Sequence, residues 1–485
     1  MDIVFVSPEV VPFSKVGGLG DMVGALPKAL RALGHKVQVV SLLYGSIDPN
    51  SNALARRLTK VQVPLGGETI SAEVHEARLP SGVQVTLLSA PGLTDRPGNV
   101  YGEADDDRRF AFLSRGAVEW MRAQPKLPDV VHVHDWATAL VPVFLSVLAE
   151  TDPRLASIRT VLTLHDLAHQ GIYPRESLAA LGLPDRLFSP DALEFYGKCN
   201  WLKGGIVYAN KLTTLSPAYA KEITQGESGM GLEGVLRARG KDVIGILNGV
   251  DFAVWNPATD PHMTSHYDAE DTSAKVRCKA DLLARCGLAS KPDTALCAWV
   301  GRFDRTKGID LLLGAAPLLL RQDVALVVLG DGAPEFHEPL ADLARRFPDR
   351  VFVKNGFDDA LAHKIYGGAD LFLAPSRVEA SGLAHLYAMR YGAIPVAHAT
   401  GGLRDTVLDC DARLETGTGF VFDRAESEDF YGAIARGLSA YQDAPAFAKL
   451  RRRVMRRDVS WERSARQYQS LYTALVEPKQ PDAKA

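Results

Sequence analysis

Cysteine is scarce in this chain. Five residues (Cys199, Cys278, Cys286, Cys297 and Cys410) are spread over 485 positions, odd in number and without a C-x-x-C pair. That argues against a disulfide framework and a zinc site, and it suits a reducing compartment. An excess of either charge is also missing. Lys and Arg total 55 against 58 Asp and Glu, a formal net charge of -3, so neither nucleic acid nor an anionic membrane is expected as a partner. No uncharged apolar run reaches the length of a membrane span, and the first residues lack the basic stretch and small-residue cleavage site of a secretory leader. The expected location is the cytoplasm.

What the chain does contain is alternation. Hydrophobic residues make up 46% and charged residues 23%, an ordinary globular composition, and 485 residues exceed what one core organises, so two or more domains are expected. Strand-like runs such as "IVFVS", "VQVVSLL", "VVHVH" and "TVLTLH", then "ALCAWVG", "VALVVLG", "RVFVKNG" and "LFLAPS", are separated by helical patterns. Most are short, β-branched and apolar on both faces, which predicts parallel strands covered by helices in an α/β architecture of doubly wound sheets. The turn-rich stretch "LNGVDFAVWNPATDP" (247–261) marks a boundary, with domains expected at 1–254 and 255–457. The amphipathic run after Trp461 predicts a final helix returning to the first domain, and "EPKQPDAKA" (477–485) a frayed tail.

The stretch "SKVGGLGDMVGAL" (14–26) places Gly18, Gly20 and Gly24 near the glycine signature of a dinucleotide-binding turn. Three features argue against a nicotinamide cofactor. Gly18 arrives well after the first strand, past Pro8 and Pro12; the second strand ends in Ser41, Leu42, Leu43 and Tyr44, without an acidic residue for ribose; and Lys15 precedes the glycines. A turn needed only for helix–strand packing is the plain alternative; otherwise the loop reads as a diphosphate clamp. In "VGRFDRTKGIDLLL", Arg302 and Lys307 follow a strand and Gly308 precedes a helix, a cationic pair suited to a diphosphate. In "APSRVEASGLAHLYAMRYG", Glu379 can accept from sugar hydroxyls, and the backbone around Ser381 and Gly382 can meet an anion. A nucleoside-diphosphate ligand in a cleft between two domains explains both glycine loops.

At this point the motifs resemble those of bacterial glycogen synthases and plant starch synthases, retaining glucosyltransferases of the GT-B fold. They include "KVGGLGD", "HVHDWATAL", "TLHDLAHQGIYP", "WLKGGIVYA", "NGVDFAVWNPATD", "GRFDRTKG", "AHKIYGGADLFLAPS" and "TGGLRDTV", in family order along nearly the whole chain. The resemblance implies two Rossmann-like domains facing a central cleft. It implies transfer of glucose from ADP-glucose, or UDP-glucose, to the non-reducing end of an α-1,4-glucan such as glycogen, with retention and without a metal or other cofactor. Carried over by motif, Lys15, Gly18 and Asp21 line the diphosphate and donor side, and His165 contacts the donor glucose. Arg302 and Lys307 hold the departing diphosphate, Glu379 binds a sugar hydroxyl, Asn248 belongs to the donor pocket, and Phe357 lies against the nucleobase. Asp135, in His134–Asp135–Trp136 at a strand end, either contacts substrate or belongs to a packed, hydrogen-bonded cluster.

Some positions depart from the family. The usual F-E-P-C-G-L-T-Q reads Val378-Glu379-Ala380-Ser381-Gly382-Leu383-Ala384-His385, a histidine–asparagine pair reads His165–Asp166, and Ala137 follows Trp136. Asp166 is expected to raise the proton affinity of His165. Tyr387 stands where some relatives of this fold carry a second glutamate, so no glycosidase-like carboxylate pair is recognisable and front-face attack is the expected route. "EADDDRRF" (103–110) reads as a solvated charge run, and His363 and Tyr366 as packing residues. Alternative functions are transfer from UDP-glucose or to a small acceptor, and a catalytically weakened glucan-binding protein.

Overall fold

The first apolar run forms strand β1 (Asp2–Val6), followed by β2 (Lys36–Leu42), β3 (Ala55–Arg56), β4 (Val61–Leu65), β5 (Glu68–Arg78), β6 (Gln84–Ser89), β7 (Val130–His134) and β8 (Arg159–Leu164). Short strands β9 (Ile172–Tyr173), β10 (Glu194–Phe195) and β11 (Lys198–Asn200) make a separate sheet, and β12 (Lys211–Thr214) and β13 (Val243–Gly245) complete this part of the chain. The structure is a computed structural model and describes residues 1–289, 291 and 293–477. The large sheet has the order β13-β12-β8-β7-β1-β2-β6-β5-β3, with β4 paired to β5. From β13 to β6 every pairing is parallel. Strand order reverses at β1: the chain leaves it toward β2 on one side and later returns on the other through β7. Loops after β1, β7 and β8 therefore open at a topological switch point, where such sheets bind ligands.

An antiparallel hairpin departs from the purely parallel expectation. Leu65 pairs with Glu68, so Gly66–Gly67 form a two-residue turn between β4 and β5, and Gly66 takes a φ of +56° that glycine tolerates. The Gly-Gly step between alternating runs carries a hairpin signal, overshadowed by the parallel pattern around it.

The second sheet contains β14 (Ala295–Phe303), β15 (Val324–Gly332), β16 (Val351–Asn355), β17 (Leu371–Ala374), β18 (Ile394–His398) and β19 (Phe420–Phe422), in the order β16-β15-β14-β17-β18-β19. All its pairings are parallel. Along β15, Val324, Leu326 and Val328 enter one core while Ala325, Val327 and Leu329 enter another, so both faces are covered by helices. Its switch point is β14, and Arg302 lies within the end of that strand.

The chain divides into unit 1, residues 1–247 with the helix Trp461–Val476, and unit 2, residues 248–460. The first division thus falls after Leu247, earlier than the 254 read from the turn-rich stretch. Val250 donates its N–H to the Val459 carbonyl at 2.7 Å and lies in the unit 2 core, with Phe252 and Trp255 packed against it. In unit 1 the helix Trp461–Val476 packs along the helix Gly18–Ala32, Tyr472 Oη bonds His132 Nδ1 at 2.7 Å, and Ser464 Oγ donates to the Leu247 carbonyl at 2.6 Å. The tail expected to fray lies, from 478 onward, outside the described residues.

The charge run at 103–110 is not uniformly solvated. Asp106 opens the helix Asp106–Arg122, and the buried Arg109 pairs with it at 2.7 Å while donating to the Asn99 carbonyl at 3.0 Å. Phe110 and Phe112 pull this helix into the core, and the charges nearest them go in as a pair.

Candidate active site

In unit 1 the loop after β1 is organised by a residue that no motif signals. Glu9 is buried; its Oε2 accepts the Val16 and Gly17 N–H groups at 2.6 and 3.0 Å, and its Oε1 accepts from Tyr101 Oη at 2.7 Å. The carboxylate thus occupies two of the amides nearest the helix N-terminus, leaving the first turn beyond them, from Gly18, to offer N–H groups outward. A Cβ at Gly20 would stand 3.2 Å from Glu9 Oε2, and one at Gly24 3.2 Å from Val11 Cβ. These two glycines serve close packing. Lys15 Nζ and Asp21 Oδ1 are paired at 2.8 Å, partly exposed at the same helix start.

The loops after β7 and β8 meet at His165. Asp135, held at a φ of +50°, accepts the His165 N–H at 2.6 Å and the Asp166 N–H at 3.4 Å. Burial pushes the Asp135 carboxyl well above its ordinary value, opposed by the His165 amide. The His165 ring shares a hydrogen bond between its Nε2 and His134 Nδ1, at 3.1 Å. Desolvation lowers the His165 pKa to about 3, against the pull of Asp166. Asp166 pulls upward as expected, but desolvation outweighs it and the net shift is downward. Asp166 spends its carboxylate on His169 Nδ1 and the Ala168 N–H, both at 2.7 Å. Behind His165 runs a buried column: His134 stacks on His132 at 4.5 Å, and His132 bonds Tyr472 at one nitrogen and Thr163 at the other, the latter at 2.5 Å. Burial also lowers the pKa of His132 and His134, so all three rings are neutral near pH 7.

In unit 2 two loops are sewn together at the carboxyl ends of β14 and β17. Gly308 has a φ of +73°, and a Cβ there would lie 2.1 Å from the Pro375 carbonyl oxygen. Arg377 donates its backbone N–H to Thr306 at 2.8 Å and grips Asp310 with two guanidinium contacts at 2.7 and 2.9 Å. This brings Lys307 Nζ within 2.9 and 2.8 Å of the two Glu379 carboxylate oxygens. Ser376 Oγ donates to the same carboxylate at 3.0 Å. Burial alone would raise the Glu379 pKa, but the Lys307 charge and these hydrogen bonds outweigh it and hold the group below its ordinary value. Arg302 remains 73% exposed in its side chain, with Asp304 3.6 Å away, leaving its guanidinium open to an anion.

The altered loop has its own features. Gly382 takes a φ of +75°, and a Cβ there would press on His385 Nδ1 at 2.7 Å and Glu379 Cγ at 3.0 Å. His385 Nε2 bonds Thr406 Oγ1 at 2.6 Å, and desolvation lowers its pKa to about 4. Ser381 Oγ and Asn248 Oδ1 are buried without a hydrogen-bond partner among the described residues, which suits groups awaiting a polar ligand. Phe357, just past β16, is 81% exposed. Tyr387 stacks on Trp255 at 4.0 Å, so an aromatic sandwich fills the place of a second glutamate. The structure brings together Lys15 with Asp21, Asp135 with His165, and Lys307 with Glu379. Glu9, Tyr101, His132 and Ser376 were not singled out as site residues, because their partners become neighbours only in the folded loops.

Residues 2–238 match the family model of the starch synthase catalytic domain, and residues 285–454 match that of the glycosyl transferases group 1. A glycogen synthase of an Anaeromyxobacter species is 44% identical over 482 residues, spanning 99% of this chain and 100% of the relative. Glycogen synthase 2 of Geobacter sulfurreducens is 39% identical over 484 residues, spanning 99% and 100%. The catalytic domain of starch synthase IV from Arabidopsis thaliana, solved with ADP and acarbose, matches with a TM-score of 0.91 at 35% identity, covering 98% of this chain and 99% of that one. A sucrose-phosphate synthase from Thermosynechococcus elongatus, at 20% identity and a TM-score of 0.60 over 98% of both chains, shares the fold.

Two doubly wound units, together with these matches, give the chain the GT-B fold of glycosyltransferases. The chain belongs to the family of glycogen and starch synthases, retaining glucosyltransferases. Among the described residues no helix is long and apolar enough to cross a membrane.

Proposed function

We propose that this chain is a cytoplasmic synthase that transfers glucose from ADP-glucose to the non-reducing end of an α-1,4-glucan such as glycogen, with retention at the anomeric carbon. The observation that carries the reading is the Lys307–Glu379 pair, held by two left-handed glycines beside the open guanidinium of Arg302. ADP in the starch synthase IV structure supports an adenine donor, and acarbose there supports a glucan acceptor.

As the donor bond breaks, negative charge grows on the leaving phosphate oxygens. Arg302 and Lys307 stabilise it, Lys307 held in place beforehand by Glu379, and a preorganised contact of this kind lowers the barrier by about 3–4 kcal/mol. Glu379 keeps Lys307 aimed, and it accepts from a hydroxyl of the donor glucose. In unit 1 the amides from Gly18 onward, with Lys15 and Asp21, serve the diphosphate side. Neutral His165, seated by Asp135, supports the positive charge developing at the anomeric carbon through a lone pair or its ring dipole. Tyr387, stacked on Trp255, stands where a double displacement would need a second carboxylate. The acceptor hydroxyl then attacks from the face that the diphosphate leaves, and a phosphate oxygen takes its proton. Asn248 and Ser381 offer their unpartnered polar atoms to the donor, and Phe357 stacks on the base.

Stacking reads no base edge, so UDP-glucose is the competing donor. Incubation of the purified chain with labelled ADP-glucose or UDP-glucose, with and without glycogen, tests the reading. Glycogen-dependent incorporation from ADP-glucose, well above that from UDP-glucose, is the expected result. Transfer without a polymer points to a small acceptor. Binding of glycogen without turnover of either donor makes the chain a glucan-binding protein.

A further inference from the structure

Three side chains in unit 2 that the transfer reaction does not use come together around one point. His262 lies in the segment after the unit boundary, and Asp359 and His363 stand one turn apart on the helix Asp359–Gly368. Their ligating atoms all lie within 4.8 Å of one another. His363 Nδ1 is committed to Asp260 Oδ2 at 2.6 Å, and the Asp260 carboxylate is fully buried. With Nδ1 committed there, Nε2 is the nitrogen left for a further partner, and it stands 3.9 Å from Asp359 Oδ2. Trp255 lies flat on the His363 ring at 3.9 Å and an interplanar angle of 6°, which fixes its plane. Asp260 also receives the Tyr391 hydroxyl and, through Oδ1, the His262 N–H at 2.8 Å. One buried carboxylate therefore orients the ring of one histidine and the backbone of the other.

We propose that His262, Asp359 and His363 form a binding site for a divalent transition-metal ion of the zinc class, with Asp260 as the outer carboxylate of His363. Two imidazoles and a carboxylate are a borderline-soft donor set that leaves a fourth position for water. The histidine–carboxylate bond behind a ligand is the usual device for setting its tautomer and basicity. Donor atoms about 2.0–2.1 Å from one tetrahedral ion stand about 3.3 Å apart, so the trio closes by roughly 1 Å on loading. Asp359, 55% exposed in its side chain, is free to turn toward His363 as part of that closure. The ion would clip the segment around His262 to the helix Asp359–Gly368 and so stabilise unit 2. Cysteine scarcity excludes only thiolate ligands; Asp359 and His363 keep an i, i+4 spacing, but His262 lies far earlier in the chain, so the full ligand set was not readable as a motif.

A protonated His363 shared between Asp260 and Asp359 is the competing explanation, and it binds no metal and has no need of His262. The test uses the full chain stripped by chelator and dialysed against micromolar Zn²⁺, Co²⁺ or Mg²⁺. One tightly held zinc per chain is expected, no retained magnesium, and visible cobalt absorption of a low-symmetry nitrogen–oxygen site. At a hundredfold excess of Zn²⁺ over its dissociation constant, unfolding of unit 2 should shift upward by about 5–10 °C. His262→Ala and Asp359→Asn, both at accessible positions, should keep the fold by circular dichroism and weaken zinc binding at least tenfold. Absence of stoichiometric zinc in the unaltered chain overturns the proposal. So does an unchanged zinc affinity in both folded variants.

Discussion

Lys307 and Glu379 show how one contact serves both stability and chemistry. Lys307→Ala should lower kcat roughly 100- to 1000-fold, as expected when a preorganised cation at a leaving group is lost. It also leaves the Glu379 carboxylate buried with the Ser376 hydroxyl as its side-chain donor. In the unaltered chain the Glu379 pKa lies below its ordinary 4.5, so its stabilising effect is present above that value and is lost as pH falls through the lowered one. In Lys307→Ala burial is opposed only by Ser376 and His385, the shift turns upward, and the variant's stability deficit should be largest near neutral pH and shrink as pH falls through the raised value. Melting curves from pH 7 to 4 on both proteins check the sign, and equal acid sensitivity would count against the pairing. His165 makes the opposite point. With a folded pKa of about 3 against 6.5 unfolded, it binds fewer protons when folded across that window, so its contribution to stability falls as pH drops from 6.5 toward 3. His165→Ala should lower kcat while keeping the melting temperature, and kcat of the unaltered chain should show no histidine-like step near pH 6.5. Lys307 and Glu379 were legible in the sequence because glycines and charges follow strands there and lie in motifs that occur in family order. The neutral state of His165 was not. It depends on burial beside His134, and the neighbouring Asp166 suggested the reverse.

At the scale of elements, the glycine-pinned loops carry the site. Gly308→Ala forces a Cβ to 2.1 Å from the Pro375 oxygen and strains a φ of +73°. It should destabilise unit 2 by about 2–4 kcal/mol and separate Lys307 from Glu379, seen as a lower denaturant midpoint together with lower turnover. The loop 378–385 tests the other direction. Ala380→Pro restores a fixed φ before Ser381, and it should lower the ADP-glucose KM about two- to fivefold with little change in kcat. A KM that does not fall would mean that Gly382 and the Gly402 N–H bond to the Glu379 carbonyl, at 2.9 Å, already hold the loop. Parallel strands such as β14 and β15 were readable because both of their faces are apolar. The β4–β5 hairpin was overshadowed by the parallel pattern around it, and the Glu9 clamp hidden by the lack of any motif linking a carboxylate to amides seven and eight residues ahead.

At the scale of the whole molecule, the returning helix Trp461–Val476 completes unit 1. Tyr472→Phe removes the hydroxyl from His132 Nδ1 and leaves a buried nitrogen without its partner. The expected cost is about 1–3 kcal/mol in unit 1, read as an earlier first transition in a thermal scan while the unfolding of unit 2 stays in place. The division of the chain also sets an order of events in time. Unit 2 is one uninterrupted stretch, whereas unit 1 is written in two pieces on either side of it. During synthesis the ribosome releases all of residues 248–460 before the helix that covers Gly18–Ala32 exists. Unit 2 can therefore mature on the nascent chain, while unit 1 waits with an apolar helix face uncovered, and that interval is when a chaperone has most to hold.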